Sequence, residues 1–287
     1  MSDQSQHVFP FSKVEDFESL SDEEIIHAVK SKSAPYLDPE NPTRIRRLSK
    51  NVLVKYGGEV LPSEAEALKL VATMTRIRVP RVYKAIFRKT ESTMFGIEGY
   101  IVMEHLPGTT LASLWDTYDK PQQERVCAKI WDAILQLRQL KIDRSGPIGG
   151  GIAQGVLFTL YGAGPFDSPK ALEDWHSHKL DVCKRLKRIP HDIPNFTGKF
   201  RPPFCLTHLD LAARNILVDA NGDIALIDWG FAGAYPPWFE IRSFGMIDYT
   251  NPWSYRAMMK EIMAGEYEEE VRQLEAIHFA LFSAPFL

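Results

Sequence analysis

The sequence has few cysteines, no long apolar run and almost no excess of either charge. Its three cysteines, Cys127, Cys183 and Cys205, are widely separated and form no C-x-x-C pair, so neither a disulfide framework nor a zinc ribbon is predicted. The formal net charge of −3 lacks the basic excess typical of nucleic-acid binders. No 18 consecutive apolar residues occur, and the polar first 20 residues lack the apolar core of a secretory signal. These absences predict a cytoplasmic protein without nucleic-acid or membrane partners.

What remains is the composition of an ordinary globular protein. Of the 287 residues, 45% are hydrophobic and 25% are charged, which disfavours disorder and fibrous repeats. The length is sufficient for one large or two small domains.

The patterns along the chain change in character near residues 104–108. Before that point, residues 21–30 begin with a capping box (Ser21 and Glu24), residues 44–56 indicate two strands around a turn, and residues 63–75 have helical spacing. Two more strands, in VPRVYKAI and YIVMEHL, complete this part. After Pro107-Gly108, helical patterns predominate, in residues 122–140, 168–189 and 251–281. We therefore predict an α+β protein with a small β-rich lobe (1–103), a boundary at residues 104–108 and a larger, mostly helical lobe (109–287).

The most informative stretch is FCLTHLDLAARNILVDANGDIALIDWG, residues 204–230. Its two β-like runs flank Asn221-Gly222, which is the strongest short signal for a β-hairpin. A two-residue loop would place Ala220 opposite Asp223 and, counting outward, Asn215 opposite Asp228.

Facing residues in an antiparallel pair lie close together, so this register predicts an amide and a carboxylate side by side. Such oxygen ligands, with the rest of the shell left to water and phosphate, are typical of Mg²⁺ at nucleotide sites. Asp210, five residues before Asn215, could present a second carboxylate and accept the proton of an attacking hydroxyl.

These residues carry a resemblance to a known family. The pattern His208-x-Asp210-x-x-x-x-Asn215, followed by Asp228-x-Gly230, resembles the catalytic loop and metal-binding triplet of the protein-kinase-like fold. The segment THLDLAARNILV is similar to the corresponding segment of the aminoglycoside phosphotransferase family rather than to that of eukaryotic protein kinases. The segments VPRVY, IVMEHLPGTTL, GPFDS and IDWGFAGAYPPWFE further resemble the fungal phosphotransferase-family proteins of that group.

The resemblance implies a bilobal kinase-like fold and roles for individual residues. Lys55 would contact the α- and β-phosphates of ATP, and Glu66 would fix Lys55, with Glu64 as the weaker candidate. Glu104 to Leu106 would form the hinge that binds the adenine edge, with Met103 beside it. Asp210 would be the catalytic base, and Asn215 and Asp228 would hold Mg²⁺. The implied activity is transfer of the γ-phosphoryl group of ATP, or another nucleoside triphosphate, to a hydroxyl of a small molecule.

The sequence departs from protein kinases in the phosphate-covering loop. No G-x-G-x-x-G precedes Lys55 and no Walker A sequence occurs, so backbone amides or Arg46, Arg47 or Lys50 would have to substitute. Gly149-Gly150-Gly151 follows no strand in the required way and indicates a flexible connection instead.

Three readings therefore remain open. The first is an active small-molecule kinase. The second is a weakly active or inactive nucleotide-binding pseudokinase that serves as an interaction module. A protein serine/threonine kinase is disfavoured, because no activation segment ending in A-P-E follows Asp228. His208 is expected to order the loop backbone rather than to take part in chemistry.

Overall fold

An antiparallel sheet of four strands dominates the N-terminal part of the protein in a computed structural model, which describes residues 9–38, 44–246 and 251–287. The elements of this part are helix α1 (Asp22–Lys30), strands β1 (Ile45–Arg47) and β2 (Val52–Gly57), helix α2 (Pro62–Met74), and strands β3 (Val82–Lys89) and β4 (Ile97–Glu104). The strand order is β1-β2-β4-β3. The predicted strands and helix are confirmed, as is the capping box, in which Ser21 and Glu24 bond reciprocally.

Successive side chains of β2 and β4 are buried on opposite faces of this sheet. Val54 and Val102 belong to a cluster that includes apolar residues of α1, whereas Leu53 and Met103 belong to the cluster formed by α2 and the C-terminal part. This division follows from the two-residue period of a strand, which sends successive side chains to opposite faces. Helix α1 thus covers one face of the sheet, and the other face packs against α2 and the second lobe.

The C-terminal part is mostly helical and contains two small sheets. Its elements are β5 (Thr109–Thr110), α3 (Leu111–Leu114), α4 (Lys120–Gln139), β6 (Lys141–Ile142), β7 (Gly146–Pro147), α5 (Pro169–Arg185), β8 (Phe204–Thr207), β9 (Ile216–Val218), β10 (Ile224–Leu226), β11 (Gly233–Tyr235), α6 (Trp238–Met246), α7 (Trp253–Ile262), α8 (Glu268–Ala276) and α9 (His278–Phe282). The sheets have the orders β10-β9-β5 and β6-β8-β11-β7. The predicted fold class, a bilobal α+β protein with a small β-rich lobe and a larger helical one, is confirmed.

The hairpin of β9 and β10 forms as predicted, but the predicted register is wrong by one residue. Ile224 pairs with Val218, and the backbone N–H of Ile227, not that of Asp228, donates to the carbonyl of Asn215. The carboxylate of Asp219 accepts the backbone N–H groups of Asn221 and Asp223. These hydrogen bonds stabilise a three-residue loop (220–222), whose last residue, Gly222, has φ +77°. Asn215 therefore faces Ile227, and Asp228 follows directly after the paired residues.

Two further observations bear on the composition. The three cysteine thiols are all buried and unpaired. Among the described residues, no helix combines the length and the apolar character that crossing a bilayer requires.

Candidate active site

A cavity of about 330 Å³ lies between the two lobes, and we call it the interlobe cavity. Residues of the small sheet, of α2, of the segment after β4 and of the β9–β10 hairpin line it: Leu37, Ile45, Leu53, Lys55, Glu64, Leu68, Pro80, Met103, Glu104, His105, Leu106, Gly108, Thr110, Asn215, Leu217, Ile227 and Asp228. The lining includes the predicted residues Lys55, Met103, Glu104, Leu106, Asn215 and Asp228. It does not include Glu66, and Asp210 lies beside it, bonded to Asn215.

Lys55 projects from β2 and joins the two lobes through its ammonium group. Its Nζ lies 2.7 Å from Glu64 Oε1 and 2.7 Å from Asp228 Oδ1. Burial lowers the pKa of Lys55, but the two carboxylates outweigh it, so the pKa is raised and the ammonium stays charged. A lysine held between two carboxylates in a cavity presents a positive charge of defined position.

The partner of Lys55 on α2 is Glu64, and the prediction that Glu66 fixes this lysine is wrong. Glu66 is half exposed and pairs with Lys69 at 2.9 Å. Successive helix residues are about 100° apart, so residues 64 and 66 point in nearly opposite directions. Glu64 lies on the buried stripe with Leu68 and Val71, at helical spacing of four and seven. That stripe is visible in the sequence and could have identified Glu64.

The segment after β4 leaves one backbone donor free at the edge of the cavity. The N–H of Glu104 donates to Arg81 and the N–H of His105 to Asn51. Within the described part of the chain, the N–H of Leu106 donates to no backbone carbonyl, and Leu106 lines the cavity. The side chains of Ile45 and Leu217, from opposite lobes, also line it, so the cavity offers a flat heterocycle apolar contacts and an unused hydrogen-bond donor.

The turn between β1 and β2 occupies the place of a phosphate-covering loop. Arg46, one of the three suggested substitutes for that loop, is not available to the cavity. Its guanidinium stacks on Tyr36 at 3.9 Å and donates to the carbonyl of Ala34 at 2.7 Å. Arg46 therefore ties the N-terminal segment to the sheet.

Asp228 and Asn215 each have one side-chain oxygen that accepts no hydrogen bond from the described residues. Asp228 uses Oδ1 for Lys55, and Asn215 uses its Nδ2 for Asp210. Asp228 also has φ +64°, a left-handed conformation that is uncommon for a residue other than glycine and is often found at functional sites. Burial alone would raise the pKa of the Asp228 carboxyl, but the nearby ammonium of Lys55 outweighs burial and lowers the pKa. The carboxyl is therefore ionised at neutral pH. The free carboxylate and amide oxygens are a donor set that suits Mg²⁺.

Asp210 is nearly buried and both of its carboxylate oxygens accept hydrogen bonds. Arg214 Nη2 lies 3.0 and 2.9 Å from the two oxygens, and Asn215 Nδ2 lies 2.8 Å from Oδ2. Burial raises the pKa of the Asp210 carboxyl, and the Arg214 guanidinium acts in the opposite direction. Arg214 was not singled out by the sequence patterns, since an arginine four residues after an aspartate in a loop carries no signal.

Buried side chains form hydrogen bonds to the backbone of the loop that carries Asp210. His208 accepts the N–H of Asp210 at Nδ1, while its Nε2 donates to the carbonyl of Ile227, and burial lowers its pKa to about 4. His208 is thus neutral and orders the backbone, as expected. Leu209 has φ +65°, and Glu240 of α6 accepts the backbone N–H groups of His208 and Leu209. Glu240 therefore stabilises this strained turn.

Two lobes around a cavity, with a lysine–glutamate pair on one side and an aspartate, asparagine and second aspartate on the other, define a protein of the kinase-like phosphotransferase class. The family model described as phosphotransferase enzyme family matches residues 58–274. Because this match covers well over half of the sequence, the chain belongs to that family.

Solved structures support the fold. A thermostable variant of aminoglycoside phosphotransferase APH(4)-Ia, in a ternary complex with ADP and hygromycin B, is similar over 91% of this chain and 92% of its own, with 14% identity and a TM-score of 0.53. The streptomycin–ATP–APH(2″)-IIa ternary complex is similar over 90% and 88%, with 15% identity and a TM-score of 0.51. The gentamicin–APH(2″)-IIa complex covers 90% and 85%, with 14% identity and a TM-score of 0.51. A comparison with curated protein sequences found no match.

Proposed function

We propose that the protein is an ATP-dependent phosphotransferase that moves the γ-phosphoryl group to a hydroxyl of a small molecule. The observation that carries the proposal is the set of contacts linking Glu64, Lys55 and Asp228 at the interlobe cavity, with Asn215 joining that cavity to Asp210. Family membership and the ADP and ATP complexes of the similar structures point the same way.

The residues have distinct roles in this proposal. The backbone of Glu104 to Leu106 binds the adenine edge, with Met103 against the ring, and Lys55 contacts the α- and β-phosphates. Asn215 and Asp228 would hold Mg²⁺, which when bound neutralises phosphate charge. The chain's own contribution is chiefly positioning and electrostatic stabilisation.

Asp210 is the proposed base. The acceptor oxygen forms a bond to the γ-phosphorus as the bond from that phosphorus to the β–γ bridging oxygen breaks. ADP leaves with the electron pair of the broken bond, and the hydroxyl proton passes to a carboxylate oxygen of Asp210. Its raised pKa makes Asp210 a better proton acceptor than a solvent-exposed aspartate.

The lobe boundaries and location belong to the same proposal. Residues 1–103 would form the nucleotide-binding lobe with its leading helix, 104–108 the hinge and 109–287 the catalytic lobe. Three buried, unpaired thiols agree with a reducing compartment such as the cytoplasm. The likeness to fungal relatives stays a prediction from the sequence.

The test is an ADP-release assay with MgATP and a panel of hydroxyl compounds. Asp210→Asn should lower acceptor-dependent turnover by about 10²–10⁴-fold while MgATP still binds. Asp116→Asn, an exposed aspartate elsewhere in the catalytic lobe, should leave it unchanged. Undiminished turnover in Asp210→Asn would refute the base. MgATP binding without ADP release for any compound would favour the pseudokinase, and absence of MgATP binding would contradict the proposal as a whole.

A further inference from the structure

A glycine-rich segment of the larger lobe has no role in the function proposed above. We call residues 146–166, from β7 to the residues just before α5, the strap. Seven of its glycines have positive φ: Gly146, Gly149, Gly150, Gly151, Gly155, Gly162 and Gly164. It forms almost no regular structure beyond β7 and one bridge between Ala153 and Ala163. Its path thus depends on backbone conformations that other residues rarely adopt.

The strap runs from the metal-binding triplet to the small lobe. A Cβ atom on Gly155 would lie 2.9 Å from Phe231 Cγ, and Phe231 is three residues after Asp228. At the other lobe, a Cβ on Gly149 would lie 3.6 Å from Glu66 Cγ, and one on Gly162 would lie 3.4 Å from Phe95 Cε1. The strap is therefore a second bridge between the lobes, in addition to the hinge.

The strap lies on the side of the site that the nucleotide does not use. Among the described residues that line the interlobe cavity, none comes from the strap. Its first strand, β7, pairs with β11, which in turn pairs with β8, the strand that leads directly into His208 and Asp210. The strap therefore begins in the same sheet as the strand that leads to Asp210, and it does not line the nucleotide cavity. This position places the strap where it can contact the acceptor.

The charges on this side are distinctive. The strap contains no Asp, Glu, Lys or Arg, and the charged residues that flank it in the sequence are Arg144 and Asp167. The acid beside the strap, Glu66, is already neutralised by Lys69 at 2.9 Å. The guanidinium of Arg214 is about half exposed, pairs with the carboxylate of Asp210 at 2.9 Å and also lies close enough to Asp228 to lower the pKa of that carboxyl. A compound approaching the base thus meets an uncharged wall and a carboxylate that is already paired with a guanidinium.

We propose that the acceptor is a hydroxyl compound without positive charge, uncharged or anionic, that lies between the strap and Arg214, and that Arg214 is the residue that disfavours cationic acceptors. The inference rests on the proposed phosphotransferase function and specifies its substrate class. A cationic acceptor would meet the Arg214 guanidinium and no carboxylate on the strap, while the carboxylates of Asp210 and Asp228 are already paired with Arg214 and Lys55. The similar structures that bind hygromycin B, gentamicin and streptomycin share the fold, but this chain selects acceptors of another charge class.

The experiment compares compounds that share one sugar ring. Methyl glucoside, glucuronate and glucosamine carry a neutral, an anionic and a cationic group, and gentamicin, streptomycin and hygromycin B serve as polycations. Initial rates of ADP release are measured with the full chain and MgATP. Where no compound is turned over, the shift in Tm that each compound causes in the Mg–AMP-PNP complex replaces the rate. The response should be at least about tenfold weaker for cationic than for neutral or anionic compounds.

Variants assign this preference to Arg214. Arg214→Gln should reduce the neutral-to-cationic ratio about tenfold, whereas Arg214→Lys, which keeps the charge, should retain it. The ratio is informative because a purely structural defect lowers all rates together. Arg185→Gln, on the exposed end of α5, is the control and should behave as the native chain.

Three results would overturn the inference: a stronger response to a cationic compound, the same response to all three ring compounds, or a ratio that Arg214→Gln leaves unchanged. These failures are distinct from failure of the proposed function. A chain that does not bind MgATP contradicts that function, whereas a chain that binds MgATP but ignores acceptor charge contradicts only the inference about the acceptor.

Discussion

The two sides of the cleft are built by different means. On the side of the interlobe cavity, the contacts are between charged groups: Lys55 of β2 pairs at 2.7 Å with Glu64 of α2 and, across the lobes, with Asp228. On the side of the strap, the contacts are close approaches of glycine backbone to aromatic rings, such as Gly155 against Phe231. Phe158 of the strap packs against His176 in a dense group of rings in the larger lobe.

This difference is understandable from what each side is proposed to bind. A nucleoside triphosphate is strongly anionic, and its proposed site requires a lysine and oxygens that could hold a metal in fixed positions. The acceptor varies between members of a fold, and its site is set by loops rather than by the elements that define the architecture. A change in one side should therefore leave a different signature from a change in the other.

The largest effect is expected from a pair of substitutions on α2. Glu64→Gln removes a buried counter-charge of Lys55 and should lower kcat/KM for MgATP by about 10²-fold or more. Glu66→Gln, two residues along the same helix, removes only a half-exposed pair with Lys69 and should stay within about twofold of the native value. Steady-state kinetics with varied MgATP measure both. Equal effects of the two variants would contradict the assignment of Glu64.

A smaller effect on stability should distinguish two glycines of the strap. Gly155 and Gly151 have φ +109° and +100°, so alanine is strained at both positions. Only at Gly155 does the added Cβ meet a ring, at 2.9 Å, whereas at Gly151 it meets no atom within 4 Å. Gly155→Ala should lower the free energy of unfolding by about 1–3 kcal/mol more than Gly151→Ala, because Phe231 has to move.

Urea unfolding measures this difference, and MgATP affinity should change little in either variant. If Gly151→Ala were the more damaging, close packing on Phe231 would not be what holds the strap. A loss of MgATP affinity in Gly155→Ala would mean that the two sides of the cleft are not independent.

An effect of similar size concerns the pH dependence of stability and the aromatic core of the larger lobe. His176 is fully buried among rings, and burial lowers its pKa to about 4. Since the unfolded chain binds the proton near pH 6.5, the folded state loses stability as the pH falls from 6.5 towards 4, and above 6.5 this group has no effect. Between pH 7 and 5 the loss from this residue is about 2 kcal/mol.

Comparison with His176→Phe isolates that contribution. His208, with a similar pKa, acts in the same direction, whereas Glu240, with a pKa raised to about 7, acts in the opposite one, and both are present in the two proteins. Urea unfolding at pH 7 and pH 5 should show a weaker pH dependence in the variant. The same dependence in both proteins would show that His176 is not held neutral.

Much of the fold could be predicted because it depends on local spacing. Runs of β-favouring residues around turn residues predicted the strands of the small sheet, and helical spacing predicted α2 and α4. The capping box at Ser21 needs only its own side chain and one three residues later, so it too could be predicted. The α+β class followed from the order of these patterns.

The predicted site was less complete, for identifiable reasons. The residues Lys55, Asn215 and Asp228 do line one cavity, but the contact that fixes the lysine comes from Glu64 rather than Glu66. The hairpin loop also differs from its prediction, because the side chain of Asp219 stabilises a longer turn than Asn221-Gly222 alone indicates.

The sequence by itself determined which elements form, because these depend on neighbours a few residues away, and it gave the pattern that singled out Lys55, Asp210, Asn215 and Asp228 as candidates. Only the tertiary structure decided which carboxylate of α2 meets Lys55, how Glu240 holds the turn at Leu209, and how the strap meets Phe231. Each of these depends on docking between elements far apart in the chain, where a rotation of a helix or a shift of one residue changes every contact.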